Sequence, residues 1–113
     1  MVLTYGVCKI CDFGWSIYNS EKDMRSTLCG TLLYISPEML TGNNYNEKID
    51  IWAYGILVHE LFTGENPFKI RDKSDLNRVI TEEVVIDDNM PEKLKDFLLF
   101  TLRKDIKFRP TAE

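Results

Sequence analysis

Apolar residues are spread unevenly along this chain, and their spacing divides it into elements. Val2-Leu3-Thr4 and Val7-Cys8-Lys9-Ile10-Cys11 are short runs rich in β-formers on either side of Tyr5-Gly6. That pattern predicts a two-stranded hairpin with a tight turn. Residues 16 to 35 hold Ser, Thr, Asn, Asp and Gly with no sustained period, which predicts a long loop. Loops of that length in compact domains are usually functional. Pro37 to Leu40 predicts a short helix stopped by Gly42-Asn43-Asn44. Asn46 to Thr63 is the clearest helix, with Asn46 placed as a cap, Glu47 in the first turn and Gly64 at the far end. Its residues Ile49, Ile51, Trp52, Tyr54, Ile56, Leu57, Val58, Leu61 and Phe62 leave almost no polar face. A helix that apolar and too short for a membrane reads as central and buried. Glu65-Asn66-Pro67-Phe68 reads as a turn, and Ser74–Glu82 and Pro91–Arg103 as two amphipathic helices. In the second, Leu94, Phe97, Leu98, Thr101 and Leu102 share one face at the helical period. Hairpin, long loop, then helices: the expected fold is mainly α.

Composition adds exclusions. With 113 residues, 44% of them hydrophobic and 28% charged, the chain suits one small globular domain. A net charge of −4 offers no basic footprint for nucleic acid or anionic lipid. The apolar run Ile56-Leu57-Val58 is broken at once by His59 and Glu60, so no membrane span is expected. Three cysteines cannot all pair, and Met-Val-Leu-Thr-Tyr-Gly has no secretory pattern, so a reducing, intracellular setting is expected. Both ends read as cut: Glu113 follows Arg109-Pro110-Thr111-Ala112, where a helix would begin.

The chemistry begins at Asp12-Phe13-Gly14, directly after the second strand. A magnesium ion on nucleotide phosphates needs a carboxylate at a fixed depth, which a strand end supplies, and a glycine two positions on permits a sharp turn. The same tripeptide also makes a plain turn. It has company, however. Ser36-Pro37-Glu38 follows 24 residues after Asp12, with Gly30-Thr31-Leu32-Leu33-Tyr34 between them. Asp50-Ile51-Trp52-Ala53-Tyr54-Gly55 then opens the apolar helix, and Asp105-Ile106-Lys107-Phe108-Arg109-Pro110 comes near the end. Order and spacing resemble the protein-kinase signature set downstream of its catalytic loop. Within that family, Asp12-Phe13-Gly14-Trp15-Ser16 and Ser26-Thr27-Leu28-Cys29-Gly30-Thr31-Leu32 closely resemble the Aurora serine/threonine kinases, as does Tyr45 to Phe68.

The resemblance implies a partial kinase domain over residues 1–113, the back of the large lobe. It implies ATP and Mg2+ as cofactors of the intact enzyme, with Asp12 as metal ligand and Phe13 and Gly14 beside it. For Phe13 a plain core aromatic is the alternative, compatible with packing that differs between active and inactive states. Thr27 falls at the activating phosphorylation position, with Ser26 secondary and Arg25 two residues before Thr27. Met24 stands where a second arginine is usual. Gly30, Thr31, Leu32, Leu33 and Tyr34 would form the floor under a peptide substrate, with Thr31 bonded to the catalytic base. Leu33 replaces the usual aspartate. Ser36, Pro37 and Glu38 would close the activation segment, Glu38 pairing with Arg109 in a buried ion pair. Asp50 would accept hydrogen bonds from the catalytic-loop backbone, or simply serve as a helix N-terminal acid. Trp52 and Gly55 complete that helix's motif, and Ile106 replaces a common proline.

Three features are set aside. Cys8 and Cys11 have the spacing of half a zinc site, but on a strand they face opposite sides. His59, within the apolar helix, reads as a packed residue. Cys29, near Thr27 in an exposed loop, is a candidate redox-sensitive thiol.

The 113 residues contain no His-Arg-Asp and no Gly-x-Gly-x-x-Gly, so no catalytic base is expected in this chain and the polypeptide alone should be inactive. By family spacing, Met1 falls just after the catalytic asparagine. Two functions follow: a fragment of a serine/threonine kinase that transfers the ATP γ-phosphate to proteins, or a non-catalytic relic or partner-binding module. The first implies protein substrates, an activator protein, and a site in nucleus or cytoplasm, at spindle or centrosome.

Overall fold

The computed structural model describes residues 2–14, 16 and 32–113. Strands β1 (Val2–Thr4) and β2 (Val7–Lys9) pair antiparallel, with Thr4 opposite Val7 and Val2 opposite Lys9. Tyr5 and Gly6 both have positive φ, 51° and 76°, as the two central residues of a type I′ hairpin turn require. The other elements of the described residues are helical: α1 (Pro37–Leu40), α2 (Lys48–Thr63), α3 (Asn77–Thr81) and α4 (Glu92–Thr101), with 3₁₀ turns at Leu32–Tyr34, Lys73–Leu76 and Ile106–Phe108. The fold is mainly α.

Helix boundaries follow local chemistry. Regular α2 starts at Lys48, two residues later than the sequence suggests, because its first turn is tight: Ile49 N–H bonds the Asn46 carbonyl and Asp50 N–H that of Glu47. Asn46 still acts as a cap, its Oδ1 accepting from the Lys48 amide at 3.1 Å. Gly64, at φ 78°, ends the helix and bonds the Glu60 carbonyl. The segment expected as one helix over Ser74–Glu82 is split instead. Asp72 caps it by accepting from the Ser74 amide at 2.7 Å, and a 3₁₀ turn runs to Leu76 before α3 takes over. Pro91 precedes α4, which ends at Thr101, two residues short of Arg103.

The core gathers where α2 crosses α4. Trp52, Ile56, Phe68, Ile70, Val79, Met90, Leu98 and Leu102 form one buried cluster, each large side chain contributing about 1.5–3 kcal/mol by leaving water. Trp52 and Phe68 stack at 5.6 Å with their planes 6° apart. Gly55 permits the crossing: a Cβ there would lie 2.6 Å from Thr101 Oγ1 and 2.8 Å from Leu102 Cδ2. Lys104 lays its ammonium over the Phe68 ring, 4.3 Å from the centroid, and donates to the Val79 carbonyl. Burial holds its pKa below the ordinary lysine value, an effect opposed by Glu83 and Glu82.

One expectation needs correction. α2 is not buried all round. Trp52, Gly55, Ile56 and His59 face the core, while Tyr54, Leu61 and Phe62 are exposed, Leu61 at 71%. An apolar composition states that a helix would gain by being covered; only neighbouring elements decide which face is.

Candidate functional site

Three clusters of the candidate residues can be placed. The first lies at the end of β2. Asp12 sits three residues beyond the strand with φ 65°, a left-handed conformation that a non-glycine residue adopts at a cost of about 1–3 kcal/mol. Such strain tends to collect where a side chain must be aimed. Asp12 and Gly14 are exposed, and among the described residues Asp12 has no salt bridge. A hard oxygen donor so placed suits Mg2+, which is held by one or two carboxylates plus substrate phosphates and not by a closed protein cage. No group of three or more His, Cys, Asp or Glu able to enclose a metal occurs among the described residues. Phe13 is 64% exposed, so it is not the core aromatic that the sequence left open as an alternative.

The second cluster is the Leu32–Tyr34 turn, half-buried on the edge of the core. Two side chains hold it. The Tyr34 hydroxyl donates to Glu60 Oε2 at 2.5 Å, and Asn66 Nδ2 donates to the Leu33 carbonyl at 3.0 Å. The Glu60 hydrogen bond, with burial and the Glu60 charge behind it, pushes the Tyr34 phenol up to about 12. Sequence reasoning missed both Glu60 and Asn66.

The third cluster is a lock. After the turn, Ile35, Ser36, Pro37 and Glu38 are all buried. Pro37 opens α1, suited to a position whose N–H has no helical partner. Glu38 meets Arg109, 71 residues away, in a bidentate pair at 2.6 and 3.0 Å. Arg109 is 1% exposed. Its guanidinium makes five bonds: two to Glu38, one to the Lys48 carbonyl at 2.9 Å, and two to the Arg103 carbonyl at 3.2 and 3.0 Å. Five N–H groups are thus matched by five acceptor contacts, which offsets the cost of burying the charge. The guanidinium also lies 5.0 Å from the Trp52 ring centre, tying the lock to the α2–α4 core. Two polar atoms here are buried without a partner among the described residues, Ser36 Oγ and Trp52 Nε1.

The remaining candidates stand apart. Asp50 is in the first turn of α2, accepts no hydrogen bond from the described residues, and has its pKa raised by partial burial first and by Glu47 second. His59 is buried with Nδ1 3.0 Å from the Glu65 carbonyl and Nε2 3.2 Å from the Val85 carbonyl. It bridges the end of α2 to the segment before α4. Cys8 and Cys11 are free and exposed. Ser26, Thr27, Cys29, Gly30 and Thr31 lie outside the described residues. No helix among the described residues is long and apolar enough to cross a membrane.

Comparison with known proteins gives one answer along the whole chain. A family model for the protein kinase domain matches residues 1–113. Aurora kinase of Candida glabrata is 41% identical over 93 residues, covering 81% of this chain and 26% of that protein. Aurora kinase of Saccharomyces cerevisiae is 39% identical over 104 residues, 91% of this chain and 28% of that protein. Aurora kinase B of Mus musculus is 36% identical over 94 residues, 82% and 27%. The chain therefore spans about a quarter of the length of these relatives. It belongs to the protein kinase family and, within it, is most like the Aurora kinases.

Proposed function

From that membership we infer that these residues are the back of the large lobe of an Aurora-like serine/threonine kinase, which transfers the γ-phosphate of ATP to protein serine or threonine. Asp12 would hold the Mg2+ that bridges the ATP phosphates, with Phe13 and Gly14 shaping its approach. When bound, Mg-ATP supplies the transferable phosphoryl group and neutralises its developing charge. Gly30 to Tyr34 would carry the peptide. Ser26 and Thr27 would be the phosphorylated switch, Thr27 first. Glu38, Arg109, Trp52 and Gly55 would hold the segment to the lobe, and Asp50 would meet the catalytic-loop backbone. The observation that supports this reading most is Asp12 itself: a strained carboxylate at a strand end, outside any ion pair among the described residues.

Glu60 narrows the substrate. Its carboxylate is half-buried, bonded to the Tyr34 hydroxyl at the edge of the platform, and pairs with no cation among the described residues. A peptide with a basic side chain on that side would complete it. The reading leaves room for an activator protein. Its place would be nucleus or cytoplasm, at spindle or centrosome.

Two experiments test it. The protein expressed from its own gene should phosphorylate a basic serine/threonine peptide with Mg-ATP, and Asp12→Ala should abolish transfer while leaving the fold intact. Transfer unaffected by Asp12→Ala would overturn the assignment. The 113-residue polypeptide alone should be inactive, since no His-Arg-Asp occurs in it. The second experiment sizes the endogenous protein with an antibody to Glu65–Asn89. A species more than twice the size of the 113-mer agrees with a longer kinase. One at the size of these 113 residues leaves the non-catalytic binding module, a reading favoured by the exposed Tyr54, Leu61 and Phe62 of α2.

A further inference from the structure

Around the Leu32–Tyr34 turn, one residue connects two segments with a single side chain. Asn66 Nδ2 donates to the Leu33 carbonyl at 3.0 Å, while its Oδ1 accepts from the Phe68 amide at 2.9 Å. Its own carbonyl accepts from the Lys69 amide at 2.9 Å, so the Glu65–Phe68 turn is closed on Asn66 from both directions. Phe68 is buried and stacked on Trp52. Asn66 thus carries the rigidity of the core out to the turn.

The backbone leaves that contact open. In the 3₁₀ turn Leu32–Tyr34 the Leu33 carbonyl would look to the Ser36 amide, and the two make no hydrogen bond. No backbone amide of the described residues takes its place. A half-buried carbonyl without a donor is costly, and a side-chain amide is the group that satisfies it while also accepting from a neighbouring N–H. Aspartate could accept from Phe68 but would set a carboxylate against a carbonyl. Alanine could do neither. Gly64, at φ 78°, turns the chain at the end of α2, so the two side chains that hold the turn, Glu60 and Asn66, come from either side of it.

We propose that Asn66 is a positioning residue for the peptide-binding platform, fixing the height of the Leu33 backbone on which a serine/threonine peptide lies. This rests on the proposed kinase function and adds to it a determinant outside the activation segment. Among the described residues Asn66 makes no hydrogen bond to Asp12, so its loss should be felt by the peptide and not by ATP.

The test uses the protein expressed from its own gene, with Asn66→Asp and Asn66→Ala, a basic serine peptide, and Mg-ATP. Asn66→Asp should raise KM for the peptide by about tenfold, the scale of one lost hydrogen bond. KM for ATP and peptide-independent ATP hydrolysis should stay near those of the unsubstituted protein, while the melting temperature falls with the unmet Leu33 carbonyl. Asn66→Ala should show the same split with a lower melting temperature, and serves as the readout if Asn66→Asp does not fold. A peptide KM within about twofold of the unsubstituted value in a folded variant, or ATP hydrolysis falling in step with peptide phosphorylation, would overturn the positioning role alone. Absence of transfer by the unsubstituted protein would remove the kinase reading and this role together.

Discussion

The segment from Asp12 to Glu38 is held very differently at its two ends. At the Asp12 end every residue from Tyr5 to Gly14 is exposed, and the geometry rests on a two-stranded hairpin and one left-handed residue. At the Glu38 end four consecutive residues are buried, and an arginine 71 positions away supplies the partner. Both ends carry short motifs of similar length, so motif content does not account for the contrast. The difference lies in where the partners are. Those of Glu38 belong to these 113 residues, whereas no hydrogen bond or ion pair among the described residues ties the Asp12 side chain to the helical core. A two-stranded hairpin is marginal by itself in water. The aimed carboxylate and the rigid lock are therefore separable, and substitution can test how far.

The largest effect belongs to the lock. Glu38→Ala or Arg109→Ala strands a buried charge and should cost about 3–5 kcal/mol in denaturant unfolding. A loss below about 1 kcal/mol, the range of a surface pair, would mean that the two ends are held alike.

The turn between the ends is read by pH. The Tyr34 phenol should ionise near 12, against 10.0 for an ordinary tyrosine, followed by its ultraviolet absorbance. Because the folded-state value lies above the unfolded one, the associated stability is complete below pH 10 and is lost as pH climbs through about 12. Glu60→Gln should bring the titration back toward the ordinary range, since Glu60 is the main cause. A titration unmoved by that change would remove Glu60 as a support of the platform.

A smaller effect of opposite sign is expected at Ser36. Among the described residues its hydroxyl is buried without a partner, so Ser36→Ala should raise stability by about 1 kcal/mol, the low end of the cost of an unmet polar group. A loss instead would show that the hydroxyl is satisfied. The smallest effect is expected at the open end. Phe13→Ala should shift unfolding by less than about 0.5 kcal/mol, as for an exposed side chain. A loss above about 2 kcal/mol would place Phe13 in a packed core and erase the contrast.

How much could be read in advance follows the same division. The hairpin was legible because Tyr5-Gly6 has turn chemistry between two β-rich runs, and the end of α2 because Gly64 suits a left-handed cap. α4 was legible through its apolar period, to within two residues of its end. The split of the Ser74–Glu82 segment was not, since it turns on Asp72, whose cap tightens the first turn into 3₁₀ geometry. Which residues of α2 stay exposed was not either, since an apolar residue carries no mark of which face is covered.

By itself the sequence determined the mainly α class, the order of its main elements and the kinase family. These depend on local backbone preference and on short motifs whose spacing survives in the linear chain. Tertiary structure alone decided that the Arg109 guanidinium is saturated by Glu38, Lys48 and Arg103, that Glu60 and Asn66 support the Leu32–Tyr34 turn, and that α2 leaves Leu61 bare. Each is a matter of where a donor, an acceptor or an apolar surface finds its complement, and the complement lies 6 to 71 residues away or nowhere among the described residues. Hydrogen bonding and burial act through space, and only the folded chain brings those distances to contact.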